Sequence, residues 1–248
     1  MASLLPRWSN LTNSASPASS VRRLIGICPS TCHLLQLHAR LVALALFPSF
    51  CPKLLRRASQ LGDISYAVKL FRSVDSPGVF CVNNVIDAVR ASSAPERALG
   101  FYLEGGFSPN SYTFVSLIGV SAKMGWLDSG RMCHGQAVTR GASGVLSVQN
   151  SLVHCYGCCG AVELARKVFD EMPVRDLVTW NSILTVYVRV GELRIAHQLF
   201  DLMPERNVVS WNVIISGYLK GNNPGSALMV FRKMVASGLK GNDRTMSR

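Results

Sequence analysis

Asn150, Asn181 and Asn212 return at intervals of 31 residues. Each puts a primary amide, with two donor hydrogens and an acceptor oxygen, at the same point of a recurring segment. That is hydrogen-bonding chemistry, suited to recognition. Groups that could break bonds are not arranged to do so. Cys155 and Cys158 form a C-x-x-C with His154 and Cys159 alongside, but a structural zinc site needs four ligands, usually in two such pairs. Cys133 with His134 is the nearby candidate and supplies no second C-x-x-C. No metal and no cofactor are therefore expected. Nor does any nucleophile, general base or glycine-rich phosphate cradle stand at a workable spacing, so the chain is not expected to be an enzyme.

The amides belong to a wider repeat. Tyr156, Tyr187 and Tyr218 share the interval, as do Ala165, Ala196 and Ala227, then Phe169, Phe200 and Phe231, then Met172, Met203 and Met234. A period between 20 and 50 residues signals a solenoid, whose units bury their apolar faces against their neighbours. In the unit 177–207, Trp180, Ile183, Leu184, Tyr187 and Val188 follow helical spacing, and Gly191 breaks the run. Leu193, Ala196, Leu199, Phe200 and Met203 then share a second helical face, which Pro204 stops. Each unit thus reads as a helical hairpin, helix A followed by helix B. Trp180 and Trp211 directly precede an Asn. Adjacent helical residues point about 100° apart, so these rings are expected in the core and not on the face carrying the amides.

The template extends in both directions. Asn83 predicts a small residue 15 positions on and an aromatic 19 on, and Ala98 and Tyr102 are there. Counting back from Ala67 and Phe71 lands on Pro52, which implies a damaged helix A. The expected divisions are a leader over 1–32, a weak hairpin over 33–47, a degenerate repeat over 48–78, and repeats over 79–110, 111–145, 146–176, 177–207 and 208–242, with a tail over 243–248. In the long unit 111–145, Gly130 and His134 occupy the small and aromatic columns.

The formal charge of +12 is uneven: residues 1–62 hold seven Lys or Arg and no acid, leaving 19 basic and 14 acidic residues elsewhere. A residual +5 suits a phosphate-backbone partner without demanding one. The opening MASLLPRWSNLTNSASPASSVRRLIG is Ser-rich, Arg-containing and acid-free, the composition of an organelle transit peptide or a disordered leader. Uncharged residues after Met point to a chloroplast and the Arg pair to a mitochondrion, with the mitochondrion slightly favoured. The apolar run from Leu34 to Phe47 is interrupted by His38 and Arg40 and is too short for a bilayer, which needs about 20 residues. No membrane is expected as a partner. The eight cysteines show no disulfide framework and read as thiols.

Helix A segments TWNSIL and SWNVII, helix B endings VFDEMP and LFDLMP, and unit lengths alternating between 31 and 35 resemble the plant pentatricopeptide repeat family. The subclass it resembles mixes standard, long and short repeats, and the likeness covers about residues 33–242. The resemblance implies an all-α fold, an α-solenoid of stacked antiparallel hairpins forming a right-handed superhelix. It implies an RNA-binding adaptor for single-stranded organellar RNA in editing or processing, with one base per repeat. Two residues choose that base, one in helix A and one at the end of the repeat. Carried over, the pairs are Asn83 with Asn110, Asn150 with Asp176, Asn181 with Asn207, and Asn212 with Asn242. By the same likeness Asn–Asp reads uridine, and Asn–Asn a pyrimidine leaning to cytidine. Val115 with Val145 lacks base-edge chemistry, and Pro52 is silent. The implied ligand is pyrimidine-rich: pyrimidine, any, U, pyrimidine, pyrimidine from the 5′ end. The deaminase signature H-x-E with P-C-x-x-C and the extension motifs of long relatives are absent, so an editing or processing enzyme would act in trans. The reading is of a truncated member whose last unit leaves an apolar face uncovered.

Alternatives are a protein–protein scaffold of the tetratricopeptide kind, against which four Asn in one column count, or a non-functional fragment. A purely structural role for the Asn series would be a hydrogen bond between repeats. Variation of the partner among Asp176, Asn207 and Asn242 is expected to favour reading, since structure alone would not require it to vary. Arg166, Lys167, Arg194, Arg232 and Lys233 on helix B could meet phosphate or solvent, and both readings stay open.

Overall fold

The computed structural model describes residues 17–104 and 106–238, and among them the chain is helical, with fourteen α-helices and no strand. It divides into two compact units, residues 1–109 and 110–248. Both are built as the fold class of stacked α-solenoid hairpins requires.

The first unit contains α1 (Pro17–Ile27), α2 (Thr31–Ala43), α3 (Phe47–Gln60), α4 (Ile64–Arg72), α5 (Val79–Arg90) and α6 (Arg97–Glu104). Here α3 pairs with α4 and α5 with α6, while the A helices α3 and α5 also touch each other. Three expectations need correction. Residues 17–28 are not a disordered leader: α1 buries Val21, Leu24 and Ile25, followed by Cys28, and packs on α3. A helical apolar stripe hidden in a Ser- and Arg-rich stretch is the reason. Residues 33–47 are not a hairpin of their own either; α2 is one helix that buries Leu34, Leu37 and Leu41. Finally, α3 is fully formed around Pro52. Pro52 lies early in the helix, where its missing N–H removes a single intrahelical bond, and Phe47, Phe50, Cys51, Leu54, Leu55 and Ala58 bury around it. The remaining earlier part of the leader, residues 1–16, lies outside the described residues.

The second unit contains α7 (Ser111–Met124), α8 (Leu127–Thr139), α9 (Leu146–Cys158), α10 (Val162–Glu171), α11 (Leu177–Arg189), α12 (Leu193–Asp201), α13 (Val208–Lys220) and α14 (Pro224–Ala236). The A helices α7, α9, α11 and α13 stack in chain order, and each helix B packs on its own helix A and, up to α12, on the next. The repeated columns are the core of these contacts. Ala165, Ala196 and Ala227 are buried, as are Phe169, Phe200, Met172, Met203 and Met234. Gly130 holds the small column because a Cβ there would stand 3.0 Å from Cys155 Sγ. The A helices α9 and α11 pack closely at Gly157, where a Cβ would lie within 2.2 Å of Val186. The Tyr column ties repeats together by hydrogen bonds: Tyr156 meets His134 Nδ1 at 2.9 Å and Tyr218 meets His197 Nδ1 at 3.0 Å, each His on the preceding helix B. In the first unit Tyr66 of α4, outside that column, meets His38 of α2 at 3.0 Å. Burial lowers the pKa of His38 and of His134.

Candidate nucleic-acid interface

The residue expected to end each repeat begins the next helix. Gly78, Asn110, Val145, Asp176 and Asn207 are the N-caps of α5, α7, α9, α11 and α13. An N-cap side chain accepts from the otherwise orphaned N–H groups of the first helical turn, and Asn, Asp, Ser and Thr do this best. Asn110, Asp176 and Asn207 each form a full capping box, with Thr113, Thr179 and Ser210 respectively. Gly78 and Val145 form no side-chain cap. Alternation between Asp and Asn is therefore what capping alone would allow, and it does not by itself favour base reading.

An arginine fixes the approach to two of these caps. Arg175 donates from Nε to the Phe169 carbonyl and from Nη2 to the Asp170 carbonyl, both at 2.9 Å, with its guanidinium 4.7 Å from the Phe169 ring centroid. Arg206 repeats this on the Phe200 and Asp201 carbonyls, at 3.0 and 2.8 Å, and over the Phe200 ring at 5.0 Å. These cations satisfy the open carbonyls at the end of helix B and hold the loop from which Asp176 and Asn207 project. Their own period of 31 residues is visible in the sequence.

Asn83, Val115, Asn150, Asn181 and Asn212 each stand fifth in their helix A, and all are half-buried. In the second unit the expected pairs are brought into contact. Asn150 Nδ2 lies 3.2 Å from Asp176 Oδ1, and Asn181 Nδ2 lies 3.5 Å from Asn207 Oδ1. The Thr179 hydroxyl adds a bond from the next repeat to Asn150 Oδ1 at 2.6 Å, so a structural contribution of the Asn series is real. Burial would raise the Asp176 pKa, but bonds from the Thr179 backbone, its hydroxyl and Asn150 outweigh it and hold the carboxyl below its ordinary value. Asn83 and Asn110 belong to different units. Asn242 lies outside the described residues.

Other residues of this face escaped the sequence reading. Tyr112, Val178 and Val209, second in α7, α11 and α13, are 75%, 57% and 53% exposed despite their apolar character. Eleven residues on, three helical turns and about 16 Å away, stand the exposed cations Lys123, Arg189 and Lys220. Residues three and eleven apart lie on one side of a helix, so each of these helices presents an apolar contact, the fifth residue and a cation. Phe80 takes the second position of α5 in the first unit and is 71% exposed. The signal is an apolar residue three before Asn83, Val115, Asn181 and Asn212; Asn150 has Ser147 in that place. Beside Asp176, a groove of about 510 Å³ is lined by Arg175, Leu177, Val178, Trp180, Pro204 and Glu205.

The remaining candidates divide differently. Trp180 and Trp211 pack edge-on against Phe169 and Phe200, with centroids 5.0 and 4.8 Å apart; Trp211 is buried as expected, whereas Trp180 is half-buried and lines the groove beside Asp176. Cys155 is buried and desolvation raises its pKa, whereas Cys158 sits half-exposed with its sulfur 3.6 Å from His154 Nε2. Among the described residues no three His, Cys, Asp or Glu are placed to hold a metal ion, and no helix is long and apolar enough to cross a membrane.

The family model for the pentatricopeptide repeat matches residues 150–177 and 178–208, and that of the related repeat family matches 206–247. The chain belongs to the pentatricopeptide repeat family. It is 49% identical to an Arabidopsis thaliana pentatricopeptide repeat-containing protein over 229 residues, which cover 90% of this chain and 43% of that one. A second Arabidopsis relative, named as chloroplastic/mitochondrial, is 38% identical over 134 residues, covering 52% of this chain and 21% of its own. The chain thus spans less than half the length of these relatives. The crystal structure of the maize pentatricopeptide repeat protein PPR10 shares its fold, with a TM-score of 0.67 at 20% identity over 96% of this chain and 41% of PPR10. PPR10 in complex with an 18-nucleotide psaJ RNA element gives 0.62 at 17% identity, over 91% of this chain and 41% of that one.

Proposed function

We propose that the chain is a sequence-selective single-stranded RNA-binding adaptor of organelle RNA editing or processing, without catalysis of its own. The observation that carries this is the pairing of Asn150 with Asp176 and of Asn181 with Asn207 at the same place in consecutive repeats. Two hydrogen-bonding side chains held together, one repeat apart, match a ligand with one base per step. The exposed apolar residues at the second helix A position offer base faces something to stack on, and the cations at the helix end suit phosphates. RNA binding by the related PPR10 supports the same reading.

The base-reading residues are Asn83, Asn110, Asn150, Asp176, Asn181, Asn207, Asn212 and Asn242, and the preferred order from the 5′ end is pyrimidine, any, U, pyrimidine, pyrimidine. The site of action is a mitochondrion or chloroplast, with the mitochondrion slightly favoured, and an enzyme supplied in trans acts on the marked transcript. The test is binding of the full chain to a short single-stranded RNA with this core and to its purine replacement, at two salt concentrations. A preference for the pyrimidine ligand that persists at the higher salt is expected. Equal binding that disappears with salt would reduce the interface to a basic surface.

A further inference from the structure

The two hydrogen-bonded pairs differ at both ends of the Asn amide. An ionised Asp176 only accepts hydrogen bonds, so the group that meets it must be Nδ2 of Asn150. The opposite end, Oδ1, lies 2.6 Å from the Thr179 hydroxyl, whose single proton also faces Asp176 Oδ1 at 2.8 Å and is shared between the two acceptors. Asn150 is pinned at both ends, with one Nδ2 hydrogen left to donate outward. Asn181 lies in the equivalent place under weaker control. Its partner Asn207 is neutral, and the contact is stretched to 3.5 Å. Ser210 takes the place of Thr179, but its hydroxyl donates to the Asn207 carbonyl at 2.8 Å. Asn181 Oδ1 is consequently buried with no hydrogen-bond partner. The difference has a local cause: the γ-methyl of Thr restricts its χ1, while Ser turns freely to its own cap.

We infer that the third residue of a helix A, here Thr179 or Ser210, is a positioning residue that sets which hydrogen-bonding edge the Asn of the preceding repeat presents. The inference rests on the base reading proposed above. With Thr, the Asn is locked as an outward donor and suits an acceptor such as O2 or O4 of uracil. With Ser, the amide is held weakly at one end and unpartnered at the other, so it turns over and tolerates both uracil and cytosine. Thr179 and Ser210 touch no base in this scheme; they act through Asn150 and Asn181.

Ser210→Thr and Thr179→Ser in the full chain test this, since both keep a hydroxyl for the capping box. Without RNA, hydrogen exchange of the Asn181 side-chain amide, followed by ¹⁵N NMR, should slow about threefold or more in Ser210→Thr, the worth of one modest hydrogen bond. The Asn150 amide should exchange faster in Thr179→Ser. With RNAs carrying U or C at single positions of the core, Ser210→Thr should raise the preference for U at the fourth nucleotide about threefold and leave the third unchanged. Thr179→Ser should lower the preference at the third alone. A general loss of stability would not move the ratio at one nucleotide. Unaltered Asn181 exchange in Ser210→Thr overturns the inference, as does an unaltered ratio at the fourth nucleotide in protein that binds RNA. If exchange responds while no form of the chain binds RNA, the positioning role stands and the base-reading proposal falls.

Discussion

The starts of α11 and α13 can be set against that of α9. All three helices are thirteen residues long. Asp176 and Asn207 cap α11 and α13 through complete boxes, whereas Val145 caps α9 with nothing. The helix therefore does not depend on its polar cap. Its stability comes from buried faces, such as Val148, Leu152, Val153 and Cys155 in α9. What the cap adds is a fixed hydrogen-bonding group beside the Asn of the preceding repeat, at the edge of an open face. Capping explains why the residue is Asp or Asn; the contact with Asn150 or Asn181 explains what the site could recognise.

The sharpest way to break this comparison is to remove the caps. Asp176→Ala and Asn207→Ala should each cost about 1 kcal/mol, read as a lower denaturant midpoint by circular dichroism, while Val145→Ala stays within about 0.5 kcal/mol. Equal losses at all three sites would mean that the boxes contribute nothing special. The converse change, Val145→Asp, should stabilise by about 0.5 kcal/mol; combined with Val115→Asn it should create a uridine preference at the second nucleotide, measured by competition binding. The smallest effect is the pH dependence that separates Asp176 from Asn207. The Asp176 carboxyl titrates below its unfolded value of about 3.9. Its contribution is thus fully present above that value and is lost as pH falls through the depressed one. Midpoints measured at two acid pH values should differ less in Asp176→Asn than in the unaltered chain, because the amide keeps the cap and removes the titration.

Hairpins, core columns and the Asn series were legible because packing between repeats imposes one small residue, one aromatic and one Met per period. The rest was hidden for separate physical reasons. The start of the first unit lay inside a composition typical of unstructured leaders, where the stripe of Val21, Leu24 and Ile25 is only one helix long. Pro52 was read as a breaker, yet its place early in α3 spares all but one hydrogen bond. Capping at Asp176 and Asn207 could have been seen from Thr179 and Ser210 three residues later. The divergence between Thr179 and Ser210 is a matter of rotamer, to which residue type gives only a weak guide.

The phase between the hairpin and its pair of hydrogen-bonding residues bears on how such chains could be recombined. A hairpin that folds as a module runs from the start of one helix A to the end of its helix B. The hydrogen-bonded group proposed to read one base runs from the fifth residue of one helix A to the third residue of the next, Asn150 to Thr179 or Asn181 to Ser210. A cassette cut at the loop would carry Asn150 away from Asp176 and Thr179, and join it to whatever cap the next cassette brings. Splices placed just after the third helical residue would keep each pair and its lock intact, so the natural seam for transplanting specificity lies inside the helix and not in the turn.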